Sequence, residues 1–276
     1  MYVRGIRAQQ PRMGTRKLYE LLGDVMRENG IRMGRDKFFA LLGTHGLLVK
    51  PRRKRVRTTD SGHSFHTHPN LIRGYEPSGP EQIWSSDMTY VWTDEGFVYV
   101  SLVTDQYSKK IMGYHVHETL KTEGSLRALR MALKHRSNRS TKLIHHSDRG
   151  IQYCSDAYVG LLKRNGIHIS MSAPGNPYEN AVAERVNGTL KTEFYLDSCF
   201  RTIDQVRHAL GEAVRLYNTR RPHASCDYLT PEEAHRRSGP LKKRWRSYPS
   251  RVQQPSISEE TRQAIQQLLV KGAAAP

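Results

Sequence analysis

The sequence predicts an α/β protein whose core follows a small helical module, and three observations support this prediction. Apolar residues recur with helical spacing in the first fifty residues, whereas from residue 82 onward they follow strand-like patterns. Beyond residue 120, helical and strand patterns take turns, which is the order of an α/β fold. A chain of 276 residues is long enough for a substantial core and a smaller module.

Two helical patterns, at residues 15–27 and 35–43, occupy the region predicted as the first module, residues 1–50. Their apolar faces are expected to consist of Leu18, Leu21, Leu22 and Val25, and of Phe38, Phe39, Leu41 and Leu42. Glycines separate the patterns, so the pair is helix-turn-helix-like, with Arg35 and Lys37 of the second helix offered to DNA. A small helical pair with solvated charges is the alternative.

Residues 51–80 are predicted to be a basic linker. Six cations fall within residues 50–57, namely Lys50, Arg52, Arg53, Lys54, Arg55 and Arg57. Charges this dense repel one another, so the segment should be extended and should neutralise DNA phosphates; a merely solubilising segment is the alternative. His63, His66 and His68 could bind zinc, but no cysteine lies nearby, which favours a solvated linker.

The core is predicted over residues 81–200. Its strands are expected at residues 83–92, 97–104, 110–117, 142–146 and 168–171, and its helices at 122–136, 155–164 and from about 180 onward. Three successive strands should form an antiparallel meander, with a turn at residues 93–96. This order of elements is that of a ribonuclease-H-like fold, with a mixed five-stranded sheet flanked by helices.

Three acids lie on separate elements of this core. Asp87 falls inside the first strand, Asp148 closes the fourth strand, and Glu184 follows after 35 intervening residues on the last helix. A buried, unpaired carboxylate is costly, so Asp87 must face a polar cleft or a metal. Converging carboxylates can hold two hard divalent cations that stabilise the attacking and leaving oxygens of a phosphoryl transfer. The trio therefore predicts a catalytic site with two Mg²⁺ ions, for which Mn²⁺ could substitute.

A polar stripe on the last helix could face metal and DNA together. At 100° per residue, one face carries Asn180, Glu184, Asn187 and Lys191, opposite apolar residues that point into the core. Such a stripe alone is more often a solvated helix face, but its position relative to the two aspartates favours the functional interpretation. Arg149, beside Asp148, is a further candidate for phosphate contact.

Four other polar residues near the acids receive structural interpretations. His145 and His146 are expected to be hydrogen-bonded residues at a strand end, with direct catalytic influence as the alternative. Asp105 should cap a turn and not serve as a fourth ligand. Glu179 precedes the last helix on a different face and is not expected to bind metal.

Residues 201–240 are predicted to be a helical extension of the core. An amphipathic helix at 202–217 should end near Arg220 and Arg221, which would meet DNA. Residues 241–276 are predicted to be a basic tail with a short helix. Its segment 242–246 combines cations with Trp245, which could stack on a base, although a disordered tail fits equally well.

Charge and composition bound the partners. The chain has 44 Lys and Arg against 26 Asp and Glu, a formal net charge of +18, which favours nucleic acid. An anionic membrane is the weaker alternative because no long apolar run occurs, and no membrane association is expected. Cys154, Cys199 and Cys226 are widely spaced, which suggests reduced thiols. A cytoplasmic, nucleoid-associated location is also expected.

Four ordered motifs make a family resemblance specific: residues 84–90, 145–150, 175–191, and 217–223 together with 229–234. The chain resembles the catalytic OrfB-type transposases of two-frame bacterial insertion sequences, within the superfamily of DDE transposases and retroviral integrases. The resemblance runs from the N-terminal helices to about residue 237. It implies an integrase-like catalytic core, with Asp87, Asp148 and Glu184 as metal ligands and Lys191 in contact with the element end.

The resemblance also implies a reaction and partners. Water would cleave the 3′ end of the element, and the new 3′-OH would attack another phosphodiester, with the element's other end as one target. Double-stranded DNA, a homo-oligomer on DNA, and an upstream-frame helix-turn-helix and leucine-zipper protein or fusion are the expected partners. A nuclease that only cleaves and an inert DNA-binding relative are the alternatives; the N-terminal helices disfavour the first and the acidic trio disfavours the second.

Overall fold

A mixed five-stranded sheet forms the centre of the computed structural model, which describes residues 2–49, 66–173 and 177–244. The strands are β1 (Ile83–Thr93), β2 (Gly96–Asp105), β3 (Ile111–His117), β4 (Ile144–Ser147) and β5 (His168–Met171). Their order in the sheet is β3-β2-β1-β4-β5. The first three strands are antiparallel, and β4 and β5 run parallel to β1. The predicted meander and mixed sheet are confirmed.

Some helices cover both faces of the sheet, and the others form the N-terminal module. They are α1 (Tyr2–Gln9), α2 (Thr15–Leu21), α3 (Gly23–Glu28), α4 (Arg35–Thr44), α5 (Thr122–His135), α6 (Ile151–Cys154), α7 (Asp156–Arg164), α8 (Ala181–Glu193), α9 (Ile203–Arg220) and α10 (Pro231–Ala234). Within the described ranges, none of them has both the length and the apolar character that a membrane span requires.

Two apolar cores lie on opposite faces of the sheet. On one face, Leu129 of α5 and Tyr158 of α7 pack against Trp84. On the other, Leu190 of α8 and Leu210 of α9 pack against the alternate residues of β1 and β2. Residues that alternate along a strand point to opposite faces, so β1 serves both cores. Each fully buried side chain of this size contributes about 1.5–3 kcal/mol relative to exposure.

The N-terminal module has four helices where the sequence predicted two. The expected helix at residues 15–27 is divided at Leu22, which ends α2 and precedes α3, and α1 was not predicted because Gly5 and arginines interrupt its apolar positions. The module core consists of Met13, Leu18, Leu22, Phe38 and Leu42.

Three residues that were expected in the module interface are instead exposed. They are Leu21, Phe39 and Leu41, with exposed fractions of 37%, 36% and 41%. On α4, Phe38 and Leu42 share one face, whereas Phe39 and Leu41 diverge to either side of it. The prediction was wrong for Phe39 and Leu41 because a single neighbouring helix covers only one stripe of α4, and it was wrong for Leu21 because the module core takes Leu18 and Leu22 instead.

A buried charged cluster fixes α10 to the start of β1 and the end of β2. The side chains of Glu81 and Asp105 are 1% and 0% exposed, and His235 of α10 lies between them. Its Nε2 is 3.5 Å from Glu81 Oε1, and its Nδ1 is 3.8 Å from Asp105 Oδ1. Asp105 also accepts a hydrogen bond from the Ser108 backbone N–H at 2.8 Å, which confirms its predicted role as a turn cap.

The charge on His235 should make the stability of the protein depend on pH. Burial lowers the His235 pKa, but the carboxylates of Asp105 and Glu81 outweigh burial and raise it to about 9. The stabilisation is therefore complete below the unfolded pKa of 6.5 and is lost as the pH rises through about 9. Urea unfolding at pH 6.5 and pH 9.5 should show this loss, and His235→Gln should reduce it. The exposed residue His208 on α9 provides the control, since His208→Gln should keep the wild-type pH dependence.

Candidate active site

Strand register places two of the predicted acids side by side. β4 pairs in parallel with β1 over only Ile83–Ser86, and the last pair joins Ser86 to Ser147. Asp87 follows Ser86 inside β1, and Asp148 follows Ser147 just past the end of β4, so the two acids lie side by side where the parallel pairing of strands about 4.8 Å apart ends. Ligands of such sheets gather where parallel strands end. The register thus explains why two acids that are 61 positions apart in the sequence meet at one edge.

Helix α8 brings the third acid to the same edge. Glu184 lies in the first turn of α8, which packs over β1 and β2 through Val186 and Leu190. One turn before Glu184, the Asn180 side chain donates a hydrogen bond to the Ser86 carbonyl at 3.0 Å. One turn after it, Asn187 Nδ2 donates to Asp87 Oδ2 at 2.8 Å. Two amides therefore fix the part of α8 that presents Glu184.

The electrostatics of Asp87 report the convergence of the acids. Its pKa is raised from 3.8 to about 7, first by burial and then by the charge of Asp148, with a smaller contribution from Glu184. Hydrogen bonds from Asn187 and from the Met88 backbone oppose this rise. Within residues 2–49, 66–173 and 177–244, no group of three or more His, Cys, Asp or Glu side chains is already close enough together to bind a metal ion. A bound cation would relieve the repulsion among these carboxylates.

Asn180 and Asn187 were predicted to contact DNA, but the structure places both side chains inside the protein. They are only 4% and 6% exposed, and their side-chain amides are hydrogen-bonded inside the protein. Asn180 directly precedes α8 and Asn187 lies on it, and both side chains face β1 because α8 packs directly on that strand. We therefore assign both amides a positioning role.

Two other candidates on this side of the molecule remain partly exposed. Arg149 Nε donates a hydrogen bond to the Ser172 carbonyl at 2.9 Å, and this bond connects Arg149 to the loop after β5. Lys191 Nζ lies 4.6 Å from the centre of the Tyr90 ring, at the edge of β1. Arg149 directly follows Asp148 in the chain, and Lys191 lies on α8 with Glu184.

His145 and His146 are buried and hydrogen-bonded, as their structural interpretation predicted. His145 Nε2 pairs with Ser86 Oγ at 2.7 Å and with Tyr158 OH at 3.0 Å, and His146 Nδ1 pairs with Ser170 Oγ at 2.9 Å. Burial lowers their pKa values to about 3 and about 4, so both rings are neutral near pH 7. They join β4 to β1, α7 and β5.

Arg221 was predicted to bind DNA, but the structure shows its side chain buried inside the protein. It is 5% exposed, and its guanidinium donates to both carboxylate oxygens of Glu193, at 2.8 and 2.9 Å. Lys17 of α2 approaches the same carboxylate at 2.7 Å, so the N-terminal module and the end of α8 share one partly buried anion. Arg220, the last residue of α9, is exposed. The side chain of Arg221 turns inward because the chain becomes extended at this residue.

The remaining candidates lie on α4 or beyond the described part of the chain. Arg35 and Lys37 are exposed on α4, and Arg35 forms an ion pair with Asp36 at 2.8 Å. The tail segment with Trp245 is outside the described residues. So is the basic segment that contains Arg52, Arg53, Lys54, Arg55 and Arg57.

Comparison with known proteins decides the family. The integrase core domain family matches residues 77–177, and a second integrase core domain family matches residues 165–231. The chain is 38% identical to the "Insertion element IS600 uncharacterized 31 kDa protein" of Shigella sonnei, over 79% of this chain and 79% of that protein. It is 36% identical to the "Transposase for insertion sequence element IS629" of the same organism, over 80% of this chain and 73% of that protein. The chain belongs to the DDE transposases of bacterial insertion sequences.

Further matches agree with this assignment. The transposase is 34% identical to "Transposase InsF for insertion sequence IS3A" of Escherichia coli, over 77% of this chain and 74% of that protein. Its fold resembles a chain of the simian T-cell lymphotropic virus intasome, with a TM-score of 0.50 and 18% identity, over 87% of this chain and 81% of that chain. The predicted ribonuclease-H-like integrase core and the predicted enzyme class, a DNA transposase, are thus confirmed.

Proposed function

We propose that this transposase cleaves the 3′ ends of an insertion sequence and joins them to another DNA site, at a metal centre formed by Asp87, Asp148 and Glu184. The observation that carries the proposal is the arrival of three acids from β1, the end of β4 and α8 at one edge of the sheet. Burial raises the pKa of Asp87 to about 7, and the charges of Asp148 and Glu184 add to this rise, which supports a site that favours a cation.

The donor set suits Mg²⁺, and Mn²⁺ as its substitute, because all three side chains offer only carboxylate oxygens. Two ions are expected, which would supply Lewis acidity to the scissile phosphodiester and to the attacking oxygen. Asp87 and Asp148 from neighbouring strands and Glu184 from α8 would hold the ions. Asn187 holds the Asp87 carboxylate in one orientation for this purpose.

Each chemical step exchanges one phosphodiester bond for another oxygen–phosphorus bond. In the first step, water adds to phosphorus and the 3′ oxygen of the element leaves as a hydroxyl. In the second, that 3′-OH attacks a phosphodiester, forming one P–O bond while another breaks, so no external energy source is needed. The protein acts mainly by positioning phosphates and compensating charge.

The expected partner is double-stranded DNA, both the element ends and the target. A net charge of +18 favours it, and the exposed cations Arg35, Lys37 and Arg220 lie on the described surface. We further propose a homo-oligomer on DNA, an upstream-frame helix-turn-helix and leucine-zipper partner, and a cytoplasmic, nucleoid-associated location. The basic linker at residues 51–80 would track phosphates between the module and the core.

The test is a cleavage and strand-transfer assay with Mg²⁺ and labelled element ends, in which Glu184→Gln is compared with wild type. The variant should lose both products and keep DNA binding, since an amide is a poor Mg²⁺ ligand. Glu212→Gln is the matched control because Glu212 is exposed on α9 and pairs only locally with Arg215. Cleavage without joining by the wild type would instead indicate a nuclease, and binding without either reaction would indicate an inert relative.

Asn187→Leu should lower cleavage about 10- to 100-fold, the usual cost of removing a group that orients a metal ligand. The leucine fills the buried space but cannot donate to Asp87 Oδ2. Affinity for element DNA, measured by fluorescence anisotropy in metal-free buffer, should not change. Weaker DNA binding with normal metal dependence would restore the original assignment of Asn187 as a DNA contact.

A further inference from the structure

Three half-exposed aromatic side chains form a cluster on the hairpin of β1 and β2. We call Tyr90, Trp92 and Phe97 the aromatic platform; their exposed fractions are 50%, 50% and 49%. The Phe97 ring centre lies 5.2 Å from that of Tyr90 and 4.6 Å from that of Trp92, and both contacts are nearly perpendicular. The three rings thus support one another and present their remaining surface to solvent.

The platform lies on the outer half of the strand that carries Asp87. β4 ends its pairing with β1 at Ser86, and among the residues that the structure describes no other strand pairs with that side of β1 until Thr93 meets Phe200. Strand alternation directs Tyr90 and Trp92 to the face opposite Asp87. Lys191 crosses this edge, because α8 packs on the Asp87 face while the Lys191 Nζ reaches the Tyr90 ring. A DNA strand leaving the acids can follow the same path around the edge.

Charge identifies the class of ligand that fits the platform. Lys191 Nζ is 4.6 Å from the Tyr90 ring centre, and the exposed Arg201 directly follows Phe200 beside the hairpin. Asp94 and Glu95 lie at the hairpin turn. Their negative charges would repel an anion, so the surface that suits an anion ends at this turn. Cations that follow a backbone, combined with aromatic rings that stack on bases, are the features of single-stranded nucleic acid sites.

The distance from the acids fits bases close to the cut. A strand rises about 3.3 Å per residue, so Tyr90 and Trp92 lie about 10 and 16 Å along β1 from Asp87. A duplex advances about 3.4 Å per base pair, so these distances correspond to about three to five base-pair steps. The rings can contact bases there only if the bases are unpaired, because a duplex hides the faces of its bases.

We propose that the aromatic platform stacks on unpaired bases next to the scissile phosphate, so that the transposase opens the last base pairs of the element end before it cuts. The inference rests on the proposed function, which places the scissile phosphate at the acids. Stacking a base on an aromatic ring is comparable in free energy to one base-pair step of duplex DNA. Stacking on the platform can therefore offset the free-energy cost of opening a few base pairs, and Lys191 holds the strand that is released.

The experiment compares Trp92→Leu with wild type on two substrates, fully paired element ends and ends whose three to five base pairs beside the cut are mismatched. Trp92 is half exposed, so leucine leaves the fold intact. The variant should cut paired ends about tenfold more slowly or worse, as expected from the loss of one stacked base. It should cut mismatched ends at nearly the wild-type rate. Leu120→Ala removes an apolar side chain that is similarly exposed, at 51%, between β3 and α5, and it should change neither rate.

A second measurement does not need catalysis. In the Glu184→Gln background, permanganate should oxidise complementary-strand thymines beside the cut when the protein binds paired ends, and Trp92→Leu should abolish that reactivity. Equal slowing on both substrates with unchanged thymine reactivity would overturn the inference. So would a change of oligomeric state in Trp92→Leu by light scattering, which would make the platform an interface between copies. If wild type cut neither substrate, the proposed function would fail, while the permanganate result would still decide the platform.

Discussion

Asp87→Asn is expected to abolish cleavage and joining, by about a thousandfold or more, while the variant melts at or above the wild-type temperature in metal-free buffer. Metal ligation contributes several kcal/mol to the transition state, and each 1.36 kcal/mol is tenfold in rate. Without metal, however, burial and the charges of Asp148 and Glu184 make the ionised Asp87 unfavourable. The asparagine removes that charge and keeps the shape of the side chain.

The pH dependence of stability shows whether the ionised Asp87 carboxylate stabilises or destabilises the metal-free protein. Because the Asp87 pKa is raised from 3.8 to about 7, the folded protein holds the proton more tightly than the unfolded chain. This group therefore lowers stability progressively as the pH rises from about 4 to 7, and Asp87→Asn should lose that component. Differential scanning calorimetry at pH 5 and pH 8 measures it, and Asp204→Asn, an exposed change on α9, is the control.

Mg²⁺ should raise the melting temperature of wild type and not that of Asp87→Asn, because a ligand stabilises only the state that binds it. A variant that unfolds at a lower temperature in every buffer would show that the Asp87 carboxylate supports the fold. Equal stabilisation of both proteins by Mg²⁺ would remove Asp87 from the metal site.

Gly113→Ala should destabilise the transposase by about 1–3 kcal/mol or more, the usual cost of overpacking a core. A Cβ at Gly113 would overlap the Ala128 carbonyl oxygen and lie 2.7 Å from the Ala132 backbone nitrogen. Both atoms belong to the backbone of α5, which cannot move aside as a flexible side chain can. The melting temperature should fall by about 2–4 °C for each kcal/mol in a protein of this size.

Gly5→Ala provides a control with the opposite expected sign. Gly5 lies inside α1, and a Cβ added there would have no heavy atom of another residue's side chain or of a neighbouring element within 4 Å. Alanine should therefore stabilise the helix by about 0.5–1 kcal/mol. A normal melting temperature for Gly113→Ala would mean that α5 stands further from β3 than the structure places it.

The strands and the central helices were predictable because they carry their burial pattern in their own sequence. Val98, Val100 and Leu102 alternate along β2, and Leu126 and Leu129 recur at helical spacing on α5. The N-terminal module was less predictable, since its helices are short and their packing partners decide which apolar residues are covered. Phe39 is as apolar as Phe38, yet only Phe38 meets the facing helix.

The acids of the candidate site could be proposed from the sequence because carboxylates on a strand, at a strand end and on a helix form an unusual pattern. Their supporting contacts could not. Whether Asn187 faces Asp87 or DNA depends on how α8 rotates against β1. Arg220 and Arg221 have the same chemistry, and only the backbone turn after α9 sends the second one to Glu193. Such contacts depend on how one element is rotated and placed against another, and the residues around each position in the sequence do not determine this.

The carboxylate of Glu193 joins the two parts of the protein in a way that matters for building chimaeric transposases. Lys17 and Arg221 approach it from the first module and from the core, and the backbone N–H of Arg12 donates to the Glu193 carbonyl. Replacing residues 2–49 with the corresponding residues of a relative would remove Lys17 and leave Glu193 and Arg221 behind. A donor module would have to bring its own cation at the position of Lys17, so exchange of DNA specificity between insertion sequences would depend on a residue that need not touch DNA.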